Sequence, residues 1–191
     1  MSASQSTATP VSTRRSSPIW RHWPAAIGLL GAAFAAIAGA NRETVVISLL
    51  VALLCYLAAA ALGVKWVAWA AIPVASALVV AGALIGIEPW FVLGGVAIAL
   101  VIVGLVARAS RTALAAQSLA LVAYGGIALI GLALSPAVGA VVASLTLMTH
   151  AVWDVIHYRR NAVVSRSLAE ACIAFDVLVG LAAIVLVVGA P

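Results

Sequence analysis

Charge is what this chain has least of. Only 8% of its 191 residues are charged, just five are acidic, and lysine occurs once, at Lys65. Two-thirds of the residues are hydrophobic and the mean hydropathy is +1.25, so no water-facing surface can be assembled from this composition. That excludes a soluble domain and points to a bilayer as the principal partner. The formal charge of +5 is spread thinly between apolar segments and forms no basic patch, so nucleic acid is not an expected partner. Cysteine is nearly absent as well. Cys55 and Cys172 both fall inside apolar runs, where a thiol acts as a small hydrophobe and not as half of an exported disulfide. The chain has no Cys-x-x-Cys, no phosphate-binding glycine loop and no Gly-x-Ser-x-Gly elbow, which removes the commonest zinc, nucleotide and serine-hydrolase signatures.

What is present is a series of apolar runs at about 25–40, 44–64, 66–87, 90–107, 112–134, 137–158 and 168–189. A helix needs roughly 20 residues to cross about 30 Å of hydrocarbon at 1.5 Å per residue, and most of these runs approach that length. The expected fold is all-α, a polytopic membrane bundle of seven transmembrane helices over residues 24–190. It follows a polar tail, residues 1–23, rich in Ser, Thr and Pro and expected to be disordered. The separators are short, so consecutive helices should lie antiparallel. With the N-terminus in the cytoplasm, Arg14, Arg15, Arg21, Lys65, Arg108, Arg111, Arg159, Arg160 and Arg166 stay inside and only Arg42 is translocated. Basic residues resist translocation, so this orientation is expected in the plasma membrane, with the C-terminus outside. Ala38, Gly39 and Ala40 also suit a signal peptidase, and cleavage there would leave the other six spans and their orientation unchanged.

Two further patterns concern packing. Residues 83–86 (ALIG) echo residues 128–131 at equivalent places in the third and fifth spans, which suggests duplicated helical hairpins. Gly82 and Gly86 form a small-xxx-small face on which backbones can approach closely.

The rare polar residues converge on one join. Between Thr146 and Gly180 lie His150, Asp154, His157, Glu170, Cys172 and Asp176. At 100° per residue, Thr146, His150, Asp154 and His157 form one stripe on the sixth span. Helical rise puts His150 about 15 Å and Asp154 about 9 Å from the cytoplasmic surface. Asp176 sits at the same depth as His150 on the seventh span, on a face shared with Cys172 and Gly180. An ionisable group in a span costs about 2.5–3.5 kcal/mol on insertion scales, so such groups face protein or water and mark function. His150 is therefore expected to pair with Asp176, with Asp154 nearer the surface beside His157.

Three uses of this site follow. His150, Asp154, His157 and Asp176 can relay a proton or ion towards the cytoplasm, with Thr146, Cys172, Gln117 and Tyr124 lining the way. Asp154, His157 and Asp176 can instead hold a metal for a membrane-embedded enzyme, since Asp154-x-x-His157 resembles one arm of the bundle carboxylate/histidine pattern. Alternatively the His/Asp pair only pins two helices of an accessory or assembly subunit, whose protein partner or second copy the residues do not identify. No cofactor is indicated. Ser167 and Glu170 have the spacing of a capping box at the start of the last helix.

Seven spans invite comparison with the retinal-binding seven-helix proteins and with the alkaline ceramidase and progestin-receptor-like hydrolases. The first need a lysine in the last span, where this chain has none; the second need a His-x-x-x-His pair there, and 168–189 holds no histidine. The resemblance is confined to helix count.

Overall fold

The structure is a computed structural model that describes residues 22–189. Residues 1–21, which hold most of the expected polar tail, lie outside the described residues. Every regular element among the described residues is helical: α1 (Trp23–Ile37), α2 (Arg42–Leu62), α3 (Val67–Leu84), α4 (Pro89–Val106), α5 (Arg111–Ala133), α6 (Pro136–Arg160) and α7 (Arg166–Val188).

Local chemistry sets the boundaries. Asn41 caps α2, its side chain accepting from the Thr44 amide at 2.9 Å, and Gly63 ends that helix in the left-handed region at φ 67°. Pro89 and Pro136 open α4 and α6, where a missing N–H leaves no bond unmade. Ser110 caps α5 through the Ala113 amide.

The last helix departs from expectation. It begins two residues earlier than the capping-box spacing implies, at Arg166, and its cap is Ser165, which accepts from the Leu168 amide at 3.3 Å. Ser167 instead accepts from the Trp69 indole at 3.2 Å, and Glu170 turns away to His22, Oε1 to Nδ1 at 2.7 Å. Glu170 is drawn off because α1 packs along α7 and brings the His22 ring within hydrogen-bonding distance of it. The sequence of α7 alone does not carry that contact.

Six helices, α2 to α7, are long and apolar enough to cross a membrane. The seventh expected span, α1, has 15 residues, which reach only about 22 Å at helical rise. It stops because the chain turns at Gly39, whose φ of 85° a helix cannot continue through.

The bundle is built around α2, which is buried on nearly every face from Val45 to Ala61. A helix apolar all round belongs in the interior, and α2 packs against α3, α4, α5 and α6. The most extensive pairing is α6 with α7, and α1 lies along the opposite side of α7. At the α5–α6 hairpin, Gly139 abuts the Gly131 carbonyl so closely that a Cβ at 139 would overlap it. Of the expected Gly82/Gly86 face, Gly82 packs on Val92, but Gly86 stands past the end of α3 with φ 75° and no neighbour. It is a turn residue. The two ALIG segments therefore occupy different settings, one running out of a helix into a turn and the other inside α5.

Candidate functional site

Two properties of α6 create the site. Its 25 residues carry His150, Asp154 and His157 on one stripe, and that stripe faces inward onto α2 and α7, so all three side chains are buried. His150 and Asp154 are fully buried, as are Asp176 of α7 and, to 1%, Tyr56 of α2. The tight α6–α7 approach rests on Gly180, where a Cβ would meet Met148 Cγ at 2.5 Å and the Ser144 carbonyl at 3.0 Å. Gly180 is one helical turn past Asp176, so this approach brings the carboxylate onto α6.

His150 stands between two carboxylates. Its Nδ1 is 2.8 Å from Asp176 Oδ2 and 3.7 Å from Asp154 Oδ2. An N–H at Nδ1 donates to Asp176, while the Tyr56 hydroxyl donates to Asp154 Oδ1 at 2.6 Å. Tyr124 packs edge-on against the imidazole, ring centroids 5.4 Å apart, and its hydroxyl reaches only a long 3.5 Å contact to the Thr149 carbonyl. Tyr124 belongs to a single π-helical turn in α5, Leu121–Gly125, a kind of local widening frequent at functional sites. Four buried side-chain atoms on α6 and α7 accept or donate no hydrogen bond to another residue's N–H, hydroxyl or carbonyl: Ser144 Oγ, His150 Nε2, Asp154 Oδ2 and Asp176 Oδ1; the Asp154 and Asp176 carboxyls lie close enough to share a proton. Buried polar atoms in folded proteins are nearly always satisfied, so the group asks for an explanation.

His157, one turn beyond Asp154, is engaged elsewhere. Its Nδ1 is 2.9 Å from the Trp153 carbonyl and must donate to it, so Nε2 is the acceptor for the Gln117 amide at 3.1 Å. Gln117 Oε1 in turn accepts from the Trp153 indole at 3.1 Å. Every member of this ring of bonds is satisfied. The structure thus divides the expected residues in two: His150, Asp154 and Asp176 come together, whereas His157 and Gln117 form a separate closed network with Trp153. Asp154 faces His150 and Tyr56 in place of His157, and no arginine among the described residues pairs with it.

The remaining expected residues contribute less. The Thr146 hydroxyl is used up on the Val142 carbonyl at 2.7 Å. Cys172 is part-exposed and Cys55 buried, both free. Among the described residues, the side chains with ligand atoms within 4.8 Å of one another are His150, Asp154 and Asp176, a group that does not include His157.

Sequence reasoning missed Tyr56 altogether. A signal was present: Tyr56 is the only hydroxyl between Ser48 and Trp66 in a helix otherwise almost wholly aliphatic.

Openings flank the bundle among the described residues. One of about 560 Å³ lies at the end carrying Arg42 and Glu43, lined also by Pro136, Ala140 and Leu186. Another, about 290 Å³ and apolar, runs between α2, α4 and the π turn of α5. Neither is lined by the cluster. Comparison of the chain with protein-family models, with curated proteins and with solved structures finds no match.

Proposed function

We propose that this protein is a multi-pass protein of the plasma membrane that moves a small solute or ion across it, coupled to protonation at the His150–Asp176 pair. The observation that carries this reading is the unsatisfied state of the buried cluster. A polar group kept only to pin helices together closes its own hydrogen bonds, as His157, Gln117 and Trp153 do. The cluster around His150 leaves Nε2 without a partner and sets beside it two carboxyls close enough to share a proton, which suits a group that takes up and releases a proton or a passing ion.

In this reading α1 completes a seventh crossing, and the N-terminus is cytoplasmic. Lys65, Arg108, Arg111, Arg159, Arg160 and Arg166 then lie inside and Arg42 outside. The opening beside Arg42 and Glu43 is an outward vestibule, and Ala140 on its wall precedes His150 by ten residues of helix, about 15 Å. Between them Gly180 is seated on Ser144 and Met148, which closes the outer side. The His157–Gln117–Trp153 network closes the inner one. The conformation is therefore occluded, and movement of the solute requires one of these two closures to open at a time.

The test is proton movement into liposomes that contain the purified protein and a pH-sensitive dye, driven by an imposed membrane potential. Protein-dependent acidification is expected, abolished by His150→Ala and by Asp176→Asn while both variants insert and fold. If the variants lose expression or melt early with no specific change in flux, the pair is structural and the proposal falls.

A further inference from the structure

The cluster has the donors, spacing and charge of a metal site. It presents one imidazole nitrogen and two carboxylate oxygens, all fully buried and all within 4.8 Å of one another. Ligands held at about 2.0–2.1 Å around a tetrahedral ion lie roughly 3.4 Å apart. The separations from His150 Nδ1, 2.8 Å to Asp176 Oδ2 and 3.7 Å to Asp154 Oδ2, fall on either side of that value, and an ion bound at Nδ1 takes the place of the proton this nitrogen now gives Asp176. Asp154 Oδ2 and Asp176 Oδ1 accept no hydrogen bond from another residue's N–H or hydroxyl, and an ion there takes the place of a proton shared by the two carboxyls. The bond Tyr56 gives to Asp154 falls on the other oxygen, Oδ1, and so orients the carboxylate with its Oδ2 free. A dication against two carboxylates leaves the site neutral, the condition that a low-dielectric interior favours most.

The same features select the kind of ion. Calcium takes six to eight oxygen ligands, and magnesium keeps an octahedron with several waters; three fully buried protein ligands suit neither. An imidazole with carboxylates suits zinc, manganese, iron and cobalt, and the lack of a cysteine in the set disfavours the thiolate-seeking ions.

We propose that His150, Asp154 and Asp176 bind one divalent transition-metal ion, and that such an ion is the solute this site passes. The binding half stands on the geometry alone; the cargo half rests on the transport reading above. The experiment uses the full chain in detergent, with any affinity tag removed, equilibrated with Mn²⁺, Zn²⁺, Co²⁺, Ca²⁺ or Mg²⁺ and assayed for bound metal by elemental analysis and titration calorimetry. One transition-metal ion per chain is expected and no calcium or magnesium. The isosteric variants Asp154→Asn and Asp176→Asn should each weaken binding at least about tenfold, Tyr56→Phe about tenfold, and His157→Ala not at all. Absence of a stoichiometric ion overturns the proposal, as does binding unchanged in both Asn variants. Loss of the ion in His157→Ala with Asp154→Asn silent would overturn the ligand set. The same samples in dye-loaded liposomes separate the two ideas. Metal bound with no metal or proton movement leaves the site standing and removes the transport reading, whereas proton movement without metal binding does the reverse.

Discussion

Tyr56 is the side chain through which α2, otherwise a plain apolar rod, enters the chemistry of α6 and α7. Its ring lies edge-on to both histidines, 5.8 Å from His150 and 4.8 Å from His157, and its hydroxyl holds Asp154. Removing that hydroxyl leaves a buried carboxylate oxygen without its donor, and interhelical hydrogen bonds in membranes average about 0.6 kcal/mol with a maximum near 1.7 kcal/mol. Tyr56→Phe should therefore destabilise the protein by about 1 kcal/mol in a detergent unfolding titration; no change would mean that Asp154 does not depend on it. The residue was hard to read because a tyrosine in a helix is ordinarily packing, and nothing in α2 reveals that its hydroxyl meets a carboxylate 98 positions away. His150 and Asp176 were legible for the opposite reason. Charged and imidazole groups are so rare in apolar spans that depth alone, from helical rise, puts these two level with each other. Asp154 and His157, though on the legible stripe, parted company because the partners that divide them, Tyr56 and Gln117, come from other helices.

At the scale of the elements, glycine decides how closely helices meet and hence whether side chains from two of them can touch. Gly180 lets α7 reach α6 beside the cluster, and Gly139 lets α6 reach α5 at the far end, backbone against backbone. A carbonyl in a helix cannot swing aside as a side chain can, so a methyl group at 139 must push the two helices apart. Overpacking of this kind costs about 1–3 kcal/mol. Gly139→Ala should lower the melting temperature measurably, whereas Gly94→Ala, which meets open space on α4, should not; equal effects would show that the α5–α6 approach is slack. The start of α7 teaches the related point that caps depend on neighbours. Ser165 and Ser167 are both competent by type, and what separates them is that Trp69 of α3 takes Ser167 while His22 takes Glu170.

For the molecule as a whole, composition and the spacing of apolar runs made the all-helical bundle legible. Burial on all sides did the same for α2 only once the other helices were in place around it. Length separates α1 from the rest, since its 15 residues are fewer than the 18 to 25 of the six longer helices. The central claim is that the bundle tolerates the His150, Asp154 and Asp176 cluster for what it does and gains no stability from it. Buried charge clusters can often be replaced by apolar residues of similar size with no loss, and with gains of about 1–4 kcal/mol, when they are not there to hold the fold. The most direct measurement is thermal unfolding in detergent of a variant combining Tyr56→Phe, His150→Leu, Asp154→Val and Asp176→Val, beside wild type. The account predicts a melting temperature equal to or above that of wild type, together with loss of metal binding and of proton movement. A melting temperature well below wild type would contradict it and identify the cluster as the pin that holds α6, α7 and α2 together.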